Sequence, residues 1–353
     1  MNYRENLMRA YRFQKPDWVP MATGIPPILW KDADYDPVEL ENLLLTHPKL
    51  FPGYKKGSVT PDNIYIPADM YKGVPYTDGW GCVWETSYTG MVGAVKTHAL
   101  DDWSKFAAFK APNPEVHNGM YAIDLKKIKA DGEQAKRDGW IFACHLPHGH
   151  TFLRIQDLRG YTNFLYDMMD DDPRLHLLIN MVETFNIELI KRYIALQPDM
   201  ITIAEDLGMQ NSPMISPDLF RRFIKPVYLK MTSPVKRAGI IVHEHSDGYI
   251  MDLMDDLIEC GGDVINMQDL VNGIDNLAKH VKGRIAIDLD IDRQSVTVDG
   301  TPADIDAHIK ECVVKLGSPE GGLSLCYQPW PPTPIENMRA VFDAMEKYTT
   351  CHS

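Results

Sequence analysis

The sequence predicts a (β/α)8 TIM barrel with an irregular N-terminal excursion covering one end. Three observations carry that expectation. From about residue 120 onward, strand-like and helix-like stretches alternate strictly, as a parallel sheet with crossover helices requires. The strand-like stretches end in His, Asp, Glu and Cys rather than in ordinary loop polars, and an active barrel carries its site at that end of its strands. The chain has 353 residues, 44% of them hydrophobic, which suits one large core read as a single domain over 1–353. No Gly-x-Gly-x-x-Gly follows a strand, which argues against a dinucleotide fold.

Taken in order, Asn2 to Gln14 reads as an amphipathic helix, stopped by Lys15-Pro16-Asp17-Trp18-Val19-Pro20, with a short strand near Val19 to Ala22. Residues 25 to 120 are rich in Pro, Gly and aromatics, too long a section for plain loop, and Trp80 and Trp84 there either line a pocket or pack the excursion down. Ala122 to Asp138 is a helix and Trp140 to His145 a strand. Helices follow over Leu153–Asp170 and Pro173–Leu196, then a strand over Met200–Asp206. Ser216 and Pro217 open a helix running to Ala238. The strand ending at His245 comes next, then a helix from Tyr249 to Cys260, strand Val264–Gln268, a helix near Ile274–Val281 and strand Arg284–Asp290. Helix Pro302–Leu316, strand Gly322–Tyr327 and helix Pro334–Tyr348 close the chain.

Charge and composition narrow the function classes. Lys and Arg number 36 against 49 Asp and Glu, a net charge of −13, which disfavours a nucleic-acid partner. Six scattered cysteines without a Cys-x-x-Cys, no signal-like N-terminus and no run of about 18 apolar residues lead us to expect a cytoplasmic protein without a membrane span. Oligomeric state is not legible, and a homodimer stays open.

The stretch Gly239-Ile-Ile-Val-His-Glu-His-Ser-Asp-Gly248 concentrates the chemistry. A β-branched run ends in polar residues, and strand alternation puts His243 and His245 on one face with Glu244 on the other. Two imidazoles with Asp247 just beyond make a metal or proton-transfer site, or else a pair of hydrogen-bonded core histidines. Glu205 and Asp206 point to opposite faces, and Glu205 is the one expected to enter the barrel as a ligand or catalytic group. His148 and His150 either contact substrate or cap the next helix. Asp206, His243, Gln268 and Tyr327 complete the substrate-facing set at the strand tips, with Trp80 from the excursion.

Several pieces occur in order: Asp78-Gly-Trp-Gly-Cys-Val-Trp84, Glu205-Asp-Leu-Gly208, Ile215-Ser-Pro-Asp-Leu-Phe220, Lys225-Pro226, His245-Ser-Asp-Gly248 and Thr333-Pro-Ile-Glu-Asn337. Together they resemble the uroporphyrinogen decarboxylase superfamily, and most closely its corrinoid-dependent methyltransferase branch. The resemblance implies a barrel with the site at the strand C-termini, a zinc ion, and a corrinoid (cobalamin) carried by a partner protein. It implies His245 as a zinc ligand, with Asp247 standing where thiol-methylating members carry Cys, and Cys326 near their later Cys. Glu205 joins these as a fourth candidate. Fewer thiolates suit a Lewis acid that polarises oxygen, so the expected reaction is O-demethylation: methyl transfer from a methoxyaromatic-type small-molecule donor to the corrinoid protein. The stretch Pro20-Met-Ala-Thr-Gly-Ile-Pro-Pro27 lacks the arginines that hold a porphyrinogen's carboxylates in the haem-pathway decarboxylase. The competing expectation is a metal-free decarboxylase of a small carboxylate, and a non-catalytic binding barrel stands third.

Overall fold

The structure is a computed structural model and describes residues 1–350. Its strands in chain order are β1 (Met21–Thr23), β2 (Tyr76–Thr77), β3 (Val83–Glu85), β4 (Ala94–Thr97), β5 (Ala143–His145), β6 (Met200–Ala204), β7 (Ile241–Ser246), β8 (Val264–Gln268), β9 (Ala286–Asp290) and β10 (Leu323–Tyr327). Seven of them form one curled parallel sheet in the order β1-β10-β9-β8-β7-β6-β5, with helices between successive strands. This is a TIM-barrel-like α/β fold in which, among the described residues, β1 and β5 are not joined by a strand ladder. The remaining three strands make a small antiparallel sheet within the excursion.

The register decides which side chains face inward. Met200 pairs with Ile241, and Val264 with Ala286, and these four bury with Leu7 and Tyr11 of the opening helix Tyr3–Tyr11. That apolar layer closes the N-terminal end of the barrel. Two residues further along each strand the same face becomes polar, with His243, Asn266, Asp288 and Ser324, and then His245, Gln268, Asp290 and Cys326. The outward face is apolar: Ile201, Ile203, Val242, Ile265, Met267, Ile287 and Leu289 are buried in the main core beneath the helices.

The excursion is more structured than the sequence suggested. It holds helices Pro27–Lys31 and Pro37–Thr46 besides its sheet, and the second packs on the closing helix Ile335–Tyr348. Asp69, Trp84, Val95 and Tyr121 share a cavity wall with His148 and Asp206, so the excursion covers the strand C-terminal end. Two expected helices differ in detail. The stretch expected as one helix over Leu153–Asp170 breaks into Phe152–Arg159 and Tyr161–Met169 at Gly160. Gly160 has φ 78°, and a Cβ there would crowd the His98 ring. The stretch from Pro217 is interrupted by a wide turn over Phe220–Ile224 before Lys225–Arg237. Pro226 has no N–H to continue the regular ladder there.

Candidate metal and substrate site

The tips of β6 and β7 are strapped together, and the strap shapes the site. Gly248 has φ 80°, and a Cβ on it would lie 2.3 Å from the Gly208 carbonyl carbon. Glycine at both places lets the two loops touch backbone to backbone. The Leu207 N–H donates to Ser246 Oγ at 2.9 Å, the Gly208 N–H to the Asp247 carbonyl at 3.2 Å and the Asp247 N–H to Asp206 Oδ1 at 3.3 Å. Two of the recognised sequence pieces thus meet glycine to glycine and hold Asp206 against His245.

His148, Asp206 and His245 form the centre, with one ligand atom of each within 4.8 Å of the others. His148 Nε2 lies 3.1 Å from Asp206 Oδ1, and His245 Nε2 lies 3.6 Å from the same oxygen. The His245 Nδ1 side bonds to Asn266 Oδ1, which leaves Nε2 for the cluster. Burial opposes charge on His245, but the hydrogen bond to Asp206 and the nearby Asp247 carboxylate outweigh it and push its pKa up to about 9. Asp206 is driven the other way: burial raises its pKa, yet bonds to His148 and His245 hold it far below the ordinary carboxylate range.

The remaining candidates fall around this centre. Asp247 lies 3.9 Å from His245 Nε2 and is held by Arg293, which also bonds Asp290 at 2.7 Å. Cys326 is at the same end of the barrel as His245, but Asn266 stands between them, donating to its Sγ at 3.2 Å. Burial and the carboxylates of Asp288 and Asp290 push the Cys326 thiol well above its usual range, so it sits there protonated. His243 is one layer deeper, bonded to Asp288 Oδ2 at 3.0 Å. Gln268 is at the rim, accepting the Gly248 N–H at 2.9 Å.

Four expectations do not match these positions. Glu205 faces outward: strand parity from Met200 and Thr202 brings Asp206 in instead. The Glu205 carboxylate accepts the N–H groups of Thr151, Phe152 and Leu153 at 2.5, 2.9 and 3.2 Å and the Tyr228 hydroxyl at 2.7 Å. It caps the helix Phe152–Arg159, whose N-cap Thr151 makes no side-chain cap bond of its own. His150 is buried against the Tyr228 ring and Thr151 Oγ1, on that same outer side. Tyr327 likewise faces the helices, edge-on to Phe342. Trp80 is 3% exposed and packed between Phe109 and Phe185. The excursion's contribution to the cavity is Trp84, fixed by its indole N–H to Asp78 Oδ2 at 3.0 Å.

Above the centre opens a cavity of about 660 Å³ that reaches His148 and Asp206 from the excursion side. Its walls are mainly apolar and aromatic, as a small-molecule site requires. A separate apolar cavity of about 380 Å³, lined by Tyr3, Trp18, Trp140 and Met345, lies by the opening helix and includes none of the clustered histidines. The stretch Asp290-Ile-Asp-Arg-Gln294 reads in sequence as charge at the mouth with Asp292 and Arg293 paired, whereas Arg293 pairs with Asp247 and Asp290; Asn266 is a site residue that the sequence reading does not contain. Its signal is a polar residue inside the apolar run Val264-Ile-Asn-Met-Gln268, on the same strand face as Gln268.

A TIM-barrel-like parallel sheet with a His–Asp–His cluster at its strand C-terminal ends defines the class. The family model described as uroporphyrinogen decarboxylase (URO-D) matches residues 154–348, more than half of the chain, and the protein belongs to that family. Comparison with curated proteins gives no match. Among solved structures, a methyltransferase from Methanosarcina mazei superposes with a TM-score of 0.67 at 18% identity over 99% of each chain. A B12-independent methionine synthase from Shewanella sp. W3-18-1 gives a TM-score of 0.44 at 12% identity, over 66% of this chain and 67% of the other. No helix is long and apolar enough to cross a membrane.

Proposed function

We propose that this protein moves a methyl group from an O-methyl, methoxyaromatic-type donor to the reduced cobalt of a corrinoid carried by a partner protein, with zinc at His245. The observation that carries the reading is the His148–Asp206–His245 cluster lying against an apolar-walled cavity. The residues fit a zinc ion: two imidazoles and a carboxylate converge, and Asn266 holds the Nδ1 side of His245 so that Nε2 faces them. His245, Asp206 and His148 would hold the ion, with Asp247 nearest among the remaining carboxylates. Zinc bound there supplies Lewis-acid stabilisation of the charge that develops on the ether oxygen.

The reaction breaks the bond between oxygen and the methyl carbon. The bonding pair would stay on the donor's oxygen, and a reduced corrinoid presented by the partner would supply the electron pair that accepts the methyl. The oxygen ends as a hydroxyl and needs one proton. Solvent supplies it, since the cluster is open to water on the half-exposed His148 side. Arg293 fixes Asp247 and Asp290, which keeps the carboxylates at the rim from collapsing onto His245. The cavity walls exclude water and orient the ring.

The competing reading is metal-free decarboxylation. Asp290 is its best support: burial, set against Arg293, pushes its carboxyl up to about 7, so it is an acid suited to protonating a carbanion. Zinc content and activity of His245→Ala separate the two. Methyl transfer predicts that metal and activity vanish together, whereas activity in a zinc-free protein favours decarboxylation.

A further inference from the structure

We infer that the cavity above His148 and Asp206 selects a neutral or cationic ring compound whose polar group donates hydrogen bonds, a phenol or an amine, and discriminates against carboxylates. The inference deepens the methyl-transfer reading by naming the donor's chemistry, but the selectivity it describes is one of binding and is measurable without turnover.

The cavity's flat walls come from Trp84, Tyr121 and Tyr161, with Met70, Met120 and Leu153 filling between them. Such a lining matches the face of one aromatic ring, and its π-faces also favour a cation. Two acceptors beside it lack donors. Asp69, 1% exposed, uses Oδ1 to take the Tyr121 hydroxyl at 2.6 Å, while its Oδ2 has no partner. Gln156 Oε1 is buried and likewise without a partner. Asp157 lies on the same side, its carboxyl pushed up to about 7 by burial, and Asp206 lies at the floor. Buried acceptors without donors are costly, and a bound hydroxyl or ammonium supplies the missing donor.

Positive charge is scarce on that surface. Among the described residues, no lysine or arginine lines the cavity. Arg154 approaches Asp157 only at 4.0 Å and is engaged by Asp78 at 2.6 Å. His98 bonds through Nδ1 to the Asp157 carbonyl at 2.7 Å, and His148 is matched with Asp206. In the metal-free chain a ring carboxylate entering here gives up water, meets Asp69 and Asp206, and finds no lysine or arginine to pair with. A methoxyphenol or methoxybenzylamine meets acceptors instead.

The test is isothermal titration of the purified full chain, stripped of metal with EDTA and without corrinoid, at pH 7.5, with three matched probes: 2-methoxyphenol, 2-methoxybenzylamine and 2-methoxybenzoate. The phenol and the amine are expected to bind at least tenfold tighter than the benzoate. Gln156→Leu should weaken both by at least threefold, and Asp69→Asn should narrow the gap between amine and benzoate, with circular dichroism confirming that each variant is folded. Equal or tighter binding of the benzoate overturns the inference. So does failure of all three probes to bind, or affinities unchanged in the folded Gln156→Leu protein. Binding with the stated preference but no methyl transfer removes the reaction proposed above and leaves this inference standing. Methyl transfer from phenol and benzoate alike does the reverse.

Discussion

Replacing Glu205 with Gln should cost stability and leave the metal in place. In the folded protein Oε1 accepts Thr151 N–H and Leu153 N–H, and Oε2 accepts Phe152 N–H and the Tyr228 hydroxyl. A glutamine keeps one oxygen and puts an NH2 in place of the other; with the NH2 at the Oε2 position the Tyr228 hydroxyl can turn to accept from it, and the Phe152 N–H alone faces a donor. Each buried donor left without an acceptor costs about 1–3 kcal/mol. The lost negative charge at the start of the helix Phe152–Arg159 adds about 0.3–1 kcal/mol. The sum is roughly 1–4 kcal/mol, a sizeable part of the ~5–15 kcal/mol typical of a folded protein. Urea denaturation followed by tryptophan fluorescence and circular dichroism should show the transition midpoint falling sharply, while zinc per folded chain stays at the wild-type level. A variant as stable as wild type to within about 0.5 kcal/mol, but stripped of zinc, would refute the reasoning and return Glu205 to the ligand set.

Other expectations follow from the same geometry. His245→Ala should lose zinc and at least a hundredfold in methyl transfer while keeping its circular dichroism spectrum; full zinc occupancy would show that the ligand set is wrong. Because the metal-free His245 titrates at about 9, zinc competes with a proton, and apparent affinity should fall as pH drops from 9 to 7; a flat profile in a competition titration with a fluorescent chelator speaks against His245 as ligand. Glu244 is buried with both oxygens unpartnered, and burial, reinforced by Asp263, pushes its carboxyl up to about 8. A folded-state pKa above the unfolded one gives stability that is complete below the unfolded value and lost as pH rises through about 8. Glu244→Gln should therefore gain stability over wild type at pH 9 and not at pH 5, and a gain that is the same at both pH values would contradict this.

What the sequence revealed and concealed has physical reasons. The alternation of strands and helices, and the inward parity of His243 and His245, follow from period-two patterning against buried β-branched runs, and both hold. The glutamate–aspartate pair at the end of β6 could not be resolved in that way. Its parity depends on where the strand register begins, and Met200 sets that by pairing with Ile241 over the opening helix. Glu205 then meets a helix start that lacks its own side-chain cap, a tertiary fact invisible in Thr151-Phe152. The excursion was legible as structured but not in form, because its short strands pair within the excursion and carry little alternation. Of its tryptophans, Trp80 turns inward onto Phe185 and Trp84 onto Asp78, a difference that four residues of spacing do not encode.

The central claim is methyl transfer to cobalt, and one measurement addresses it directly. Zinc-loaded protein is incubated anaerobically with 2-methoxyphenol and a reduced corrinoid protein, and the absorbance of the reduced cobalt is followed together with catechol release. The account predicts loss of the reduced-cobalt band with equimolar catechol, dependent on zinc and abolished in His245→Ala. Unchanged cobalt absorbance with this donor and with 2-methoxybenzylamine, under conditions where the protein binds zinc and both donors, would contradict it.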